Sequence, residues 1–274
     1  MTETHTTDAE QQFATYHERR EQAVVQPKGN LALVNTQWID SEQTIWGVPG
    51  KWAPAKNGLT VFASYDEGIV VDGIAVEDEA LVLGADSDTP SELVFNDHTV
   101  GTVIKNAAGE YGLRVWDAKS EAIQEFGSIS VFPYNPDWVI TASWKELPEA
   151  TTMGFEHLKD EGSPRDEVIP GEITFAKDGV DYNLAAFKAG RALQIVYADA
   201  TNGDSTYSVG RFLYVAPNAD GTITLDFNRG VLPPCAFSYN YNCPLPPKQN
   251  RFAIPIEAGE KMVLKTDGTP LHPE

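Results

Sequence analysis

Six pairs in which Asn or Asp precedes Gly cut this chain into short segments: Asn57-Gly58, Asp72-Gly73, Asp178-Gly179, Asn202-Gly203, Asp220-Gly221 and Asp267-Gly268. Asn, Asp and Gly tolerate positive φ, so each pair is a ready tight turn. The stretches between them alternate apolar and polar residues, the period of a half-buried strand. Expected strands in the first half are Leu31–Val34, Leu59–Ala63, Gly68–Val71, Leu93–Phe95, Thr99–Ile104, Gly112–Trp116 and Trp138–Trp144. In the second half they are Glu172–Phe175, Leu193–Tyr197, Gly210–Val215, Thr222–Phe227 and Phe252–Ile256. Short strands at this spacing do not leave room for βαβ units. The expected fold is mainly β, with antiparallel sandwich- or barrel-like sheets.

The N-terminus breaks the pattern. Phe13, Tyr16, Arg20 and Val24 recur at helical spacing, so an amphipathic helix is expected there, stopping before Pro27-Lys28-Gly29. Asp8 and Gln11 stand where a capping box would place them. The expected organisation is a helix over 1–27, a β meander over 28–148 and a C-terminal β subdomain over 149–274. The last boundary is drawn through the punctuated, acidic stretch between Leu147 and Pro170, with a long surface loop within one continuous domain as the alternative.

The 274 residues carry 20 basic and 40 acidic side chains, a net charge of −20. Nucleic acid and anionic membranes need a positive footprint, so neither is an expected partner. No apolar run approaches the ~20 residues of a membrane-spanning helix. Met1–Gln12 has neither the apolar centre nor the cleavage-like site of a secretory signal, which makes a cytoplasmic location the expectation. Two cysteines in such a chain are expected as thiols, and their spacing fits no common zinc pattern. No cofactor and no metal is expected.

Chemistry-bearing residues gather near the C-terminus. Asp226-Phe227-Asn228-Arg229 leads through Pro233-Pro234-Cys235 and Cys243-Pro244-Leu245-Pro246-Pro247 to Asn250-Arg251 and Glu257-Ala258-Gly259-Glu260-Lys261. Prolines remove backbone donors and fix φ, so this backbone must be irregular, and irregular backbone is where sites tend to lie. Bases outnumber acids five to four between Ser205 and Lys261, and no acid occurs between Asn228 and Phe252. A neutral-to-basic window in an acidic protein is a candidate anion site.

Strand alternation places Ile223, Leu225 and Phe227 toward a core and Asp226 with Asn228 on the opposite face. Arg251 and Glu257 share the outward face of their own segment. Arg211 shares its face with Leu213 and Val215 and needs a buried partner. Tyr207, Arg211, Asp226, Asn228, Arg229, Asn250, Arg251 and Glu257 are therefore candidate ligand-binding residues, with the arginines gripping a carboxylate or phosphate. The same charges could instead hold irregular loops together. Cys235 and Cys243 are either inert buried thiols or a redox pair. Tyr239 and Tyr241 either line a pocket or cap the proline-rich loop.

The run Tyr207-Ser208-Val209-Gly210-Arg211-Phe212-Leu213, Leu225-Asp226-Phe227-Asn228-Arg229, Pro233-Pro234-Cys235-Ala236-Phe237, Cys243-Pro244-Leu245-Pro246-Pro247, Asn250-Arg251 and Glu257-Ala258-Gly259-Glu260-Lys261 resembles the signature of an uncharacterised prokaryotic family, domain of unknown function (DUF) 1684. Weaker similarity extends upstream through Asp199-Ala200-Thr201, Phe132-Pro133, Phe126-Gly127 and Gly112-Leu113-Arg114, and back to the N-terminal helix. Family members usually read Asn-Arg-Ala-Tyr-Asn-Pro-Pro where this chain has Asn228-Arg229-Gly230-Val231-Leu232-Pro233-Pro234, so a tyrosine and an asparagine are missing. The resemblance implies a location for the site and no reaction. Three functions follow as expectations: binding of a small anionic ligand, enzyme or redox chemistry at Cys235 and Cys243, or a protein-interaction module presenting the proline-rich loop.

Overall fold

The computed structural model describes residues 7–149, 151–160 and 162–272. It is mainly β with antiparallel sheets, and among the described residues no sheet closes into a barrel. The chain divides into two units, Gln22–Glu125 on one side and the residues up to Glu21 with those from Phe126 onward on the other.

In the Gln22–Glu125 unit a six-stranded sheet runs in the order Leu33–Trp38, Tyr111–Asp117, Thr99–Lys105, Leu93–Val94, Val70–Val71 and Ile74–Ala75. A four-stranded sheet contains Gln43–Thr44, Lys51–Ala55, Gly58–Ala63 and Asp78–Leu83. Their inward residues, among them Trp52, Leu59, Val61, Leu113 and Val115, bury one continuous apolar core. Asp72 and Gly73 both take positive φ, as a hairpin turn with matched twist requires.

The other unit is built on the sheet Val180–Ala185, Gly171–Lys177, Val139–Glu146, Thr222–Asp226. A second sheet joins Phe187–Ala189, Ala192–Tyr197 and Arg211–Val215, and Phe126–Val131 pairs with Glu260–Lys265. Ile223, Leu225 and Phe227 are wholly buried, as alternation requires. The Phe227 ring meets Trp138, Tyr197 and Phe252 edge-on at 5.6, 5.2 and 5.8 Å. Edge-to-face contact is the favoured geometry for aromatic quadrupoles, so these rings fix one packing.

Three local readings are corrected. The helix spans Asp8–Val24, but Thr7 caps it: the Glu10 amide donates to Thr7 Oγ1 at 3.3 Å and the Thr7 amide to Glu10 Oε2 at 2.6 Å. The box sits one residue earlier than Asp8 and Gln11 suggest. Phe252–Ile256 is not a strand, because Pro255 removes a donor and only isolated bonds, such as Phe252 N–H to Ala198 O at 2.8 Å, tie it down. The strand Thr222–Asp226 stops before Phe227, which opens a tight 3-10 turn. The segment between Leu147 and Pro170 lies inside the second unit as the hairpin Thr152–Phe155 and Arg165–Val168. Val139–Glu146 on one side of it and Gly171–Lys177 on the other are neighbours in one sheet.

Gly259 takes φ +82°, and a Cβ there would lie 2.6 Å from Gly230 O and 2.7 Å from Phe227 O. Backbone cannot retreat as a flexible side chain can. Gly259→Ala is expected to lower stability by roughly 2–4 kcal/mol in urea unfolding.

Candidate functional site

Arg211 begins the strand Arg211–Val215 and is completely buried. Its Nη2 donates to Asp199 Oδ2 at 2.6 Å and Ile256 O at 2.8 Å, and its Nη1 donates to the carbonyls of Ala258 and Glu260. The guanidinium lies 5.2 Å from the Tyr197 ring centre. Asp199 in turn accepts from Thr201 N and Oγ1 and from Ile256 N through Oδ1. Ile256–Gly259 lies outside any strand, and a buried guanidinium satisfies several carbonyls there and at the start of the next strand at once.

Asn250 is likewise buried. Its Oδ1 accepts the Ala185 amide at 2.8 Å, and its Nδ2 donates to Ala185 O and Val196 O, both at 2.8 Å. Asn228 was expected to face outward and is only 2% exposed. Its side chain bonds both backbone groups of Asn135, accepting at 2.7 Å and donating at 2.9 Å, while Asp226 Oδ1 accepts from its amide and Nδ2. The turn at Phe227 breaks the strand alternation and swings Asn228 inward.

The remaining candidates lie elsewhere. Arg229 is half-exposed, 3.4 Å from Asp226 Oδ2 and 5.5 Å from the Tyr16 ring centre. It lines a recess of about 440 Å³ with Arg19, Tyr16, Thr15 and Gln11. Arg251 and Glu257 are exposed. Inward Arg211, Asn228 and Asn250 and outward Arg251 and Glu257 cannot make one surface.

Tyr207 does something else. Its side chain interacts with Cys235, which raises the phenol's pKa and lowers the thiol's. Cys235 and Cys243 are free thiols, 0% and 3% exposed, and the Cys235 amide donates to Cys243 Sγ at 3.2 Å. The prolines produce this approach: Pro234–Ala236 forms a single 3-10 turn with Pro at its start, where no donor is lost. Pro246 packs where any Cβ on Gly210 would intrude, 2.9 Å away. Gly210, with φ +114°, is therefore required for the loop to seat.

A strap covers the loop. Leu158 N–H donates to Cys243 O at 3.0 Å and Leu245 N–H to Glu156 O at 2.7 Å. Lys159 Nζ donates to Tyr239 O, and its amide donates to Asn242 Oδ1 at 2.9 Å. Asn242 Nδ2 reaches Asp160 Oδ1 at 2.6 Å, and Arg165 grips the same carboxylate at 2.6 and 3.0 Å. His157 directs Nδ1 to Phe155 O at 3.2 Å, and burial, helped by the Arg165 charge, lowers its pKa. Tyr239 is exposed, its ring tilted 40° to that of His272 with centres 4.3 Å apart, whereas Tyr241 is buried.

The Cys235 thiol is held below its usual pKa. A hydrogen bond from the Cys243 thiol is the largest cause, burial opposes it, and the Tyr207 hydroxyl and Lys159 charge assist. Burial and then the Cys235 charge push the Tyr207 phenol up, so it remains a donor. Lys159 and Asp199 are the residues that sequence reasoning missed. Asp199 carried a signal, since buried Arg211 demanded an acid. Lys159 is far from both cysteines in sequence and carried none.

Fold and site together define an antiparallel β protein with a proline-fenced pair of adjacent thiols. The chain belongs to the family described as "Protein of unknown function (DUF1684)", whose model matches residues 124–261. A solved structure to which it is similar is an uncharacterized protein of Haloarcula marismortui, 30% identical over 50% of this chain and 77% of that one, with a TM-score of 0.41. No curated protein matches. No helix among the described residues is long and apolar enough to cross a membrane.

Removing Arg211 strands the Asp199 carboxylate in the interior. Arg211→Met is expected to cost about 3–5 kcal/mol in denaturant unfolding.

Proposed function

We propose that this protein is a thiol-based redox protein whose Cys235–Cys243 pair cycles between dithiol and disulfide. The observation that carries the reading is the shared hydrogen bonding of the two cysteines. Cys243 Sγ accepts the Cys235 amide at 3.2 Å, both sulfurs are buried, and interaction with Cys243, helped by Tyr207, lowers the Cys235 pKa against the opposing effect of burial. A lowered pKa favours the thiolate, the reactive form. Oxidation forms the S–S bond, releases two protons and passes two electrons to a disulfide or hydroperoxide acceptor.

Graded ratios of oxidised to reduced dithiothreitol, followed by alkylation after denaturation, test this. The two thiols should disappear together, with peptide mapping showing a Cys235–Cys243 cross-link. Two thiols that stay free at ratios oxidising the unfolded chain would remove the reading.

One observation favours a second reading, the small-anion site, in reduced form. The Arg229 recess is lined by two cations, Arg19 and Arg229, the latter over the Tyr16 ring, against one carboxylate, Asp8, in a protein of net charge −20. Of the candidate ligand-binding residues, Arg229 is the one this reading keeps. Inorganic phosphate or citrate should then protect the wild type against heat at millimolar concentration, and Arg229→Met should lose the protection. Equal protection of both proteins contradicts a site at Arg229.

A further inference from the structure

We propose that the outer face of the sheet Val180–Ala185, Gly171–Lys177, Val139–Glu146, Thr222–Asp226 binds a neutral sugar through Ser143, Thr174, Asp181 and Asn183. The proposal is independent of the thiol pair. Register brings these side chains together. Asn183 pairs with Thr174 and Thr174 with Ser143, so the three stand in one row across neighbouring strands. Asp181, two residues before Asn183 on the edge strand, shares that face and lies opposite Ala176, whose side chain is a single methyl. All four polar residues are exposed. With Phe175 and Tyr182 they line a recess of about 440 Å³, within the roughly 300–1,000 Å³ of small-molecule sites.

The polar groups of this recess are unused. Among the described residues, the Ser143, Thr174 and Tyr182 hydroxyls, the Asp181 carboxylate and the Asn183 amide have no side-chain hydrogen bond or ion pair within the protein. The far end of the same row is different. Thr222, which pairs with Ser143, donates to Asp220 Oδ1 at 2.6 Å and accepts from Asn218 Nδ2 at 2.9 Å. Thr224 accepts from the same Asn218 amide at 3.3 Å. Free groups are therefore confined to the side of the face where the recess lies.

Their chemistry selects the ligand. Hydroxyls, an amide and a carboxylate offer donors and acceptors over a small area. Neighbouring hydroxyls of a sugar ring each donate and accept, and one carboxylate or amide can meet two of them at once. The Phe175 and Tyr182 rings, 5.0 Å apart and 19° from parallel, add an apolar wall for the C–H groups of the sugar. The lining holds one carboxylate and no cation, so a phosphate or carboxylate ligand finds no grip and meets Asp181. Lys177, on the adjacent strand, is committed elsewhere, to Asp137 O at 3.2 Å and to the Trp138 ring.

The test is saturation-transfer NMR on the full chain with the methyl glycosides of glucose, galactose, mannose and N-acetylglucosamine, and with glucuronate as the anionic control. At least one glycoside should receive transfer and glucuronate none. Asn183→Ala should weaken binding of that glycoside about tenfold, the loss of one amide's hydrogen bonds, and Asp181→Ala at least as much. The thermal midpoint should stay unchanged in both, because each side chain is exposed and unpaired. Should a variant lower the midpoint, backbone amide shifts of the wild type on titration report the same contact, and they should centre on Asp181 to Asn183. An oligosaccharide ending in the same sugar is run beside the glycoside. Tighter binding makes a glycan end the ligand and equal binding a free sugar, and either supports the site. Transfer to no glycoside, equal transfer to glucuronate, affinity unmoved by both variants, or amide shifts centred elsewhere overturns the proposal.

Discussion

The buried pair of Arg211 and Asp199, 2.6 Å apart, holds the C-terminal architecture in register. The segment from Pro233 to Gly259 is poor in backbone donors and contains no strand. It can be ordered only by groups that come to it. Arg211 collects two of its carbonyls, at Ile256 and Ala258, and that of Glu260 where the next strand begins, and Asp199 holds the guanidinium while accepting the Ile256 amide. Asn250 does the same work with amide chemistry, joining Ala185 and Val196. Glu260 closes the network from the other side, accepting the Leu232 amide at 2.7 Å and Arg20 Nε at 2.8 Å. A buried ion pair gives little net stability over an apolar substitute, but losing one partner is costly, so the network specifies a conformation more than it strengthens one.

The thiols inherit their positions from this frame. Tyr207 lies four residues before Arg211, at the entry to the same strand, and its amide bonds Lys261 O at 3.0 Å. Gly210 between them lets Pro246 seat, three residues after Cys243. Arg211, a candidate ligand-gripping residue, has its Nη atoms taken by Asp199 and by backbone carbonyls.

Much of the fold was legible because its signals are local. Asp72-Gly73 and Asp178-Gly179 turn as their backbone preferences require, and Ile223, Leu225 and Phe227 are buried as alternation requires. The Gln22–Glu125 core follows from the same period. What was not legible depends on contacts distant in sequence. Alternation put Asn228 on the outer face, and a 3-10 turn one residue earlier reversed it. Arg211 was read correctly as needing a partner, but its partner could not be told from an external anion. Lys159 reaches the cysteine loop through a hairpin whose approach no local pattern encodes. Phe252–Ile256 has a strand's alternation, and Pro255 together with competition from Asn250 and Asp199 for the nearby backbone leaves it irregular.

At the centre of this account is the statement that the folded environment prepares Cys235 as a thiolate. A depressed native pKa contributes stability above the ordinary thiol value of about 8.5 and loses it as pH falls through the native value. The direct measurement is the ultraviolet thiolate absorbance of the reduced, folded protein across pH, with Cys235→Ser as reference. The account predicts a thiolate signal that appears below the ordinary thiol range and is absent from Cys235→Ser. A signal that appears only at or above that range, or one that survives in Cys235→Ser, would contradict it.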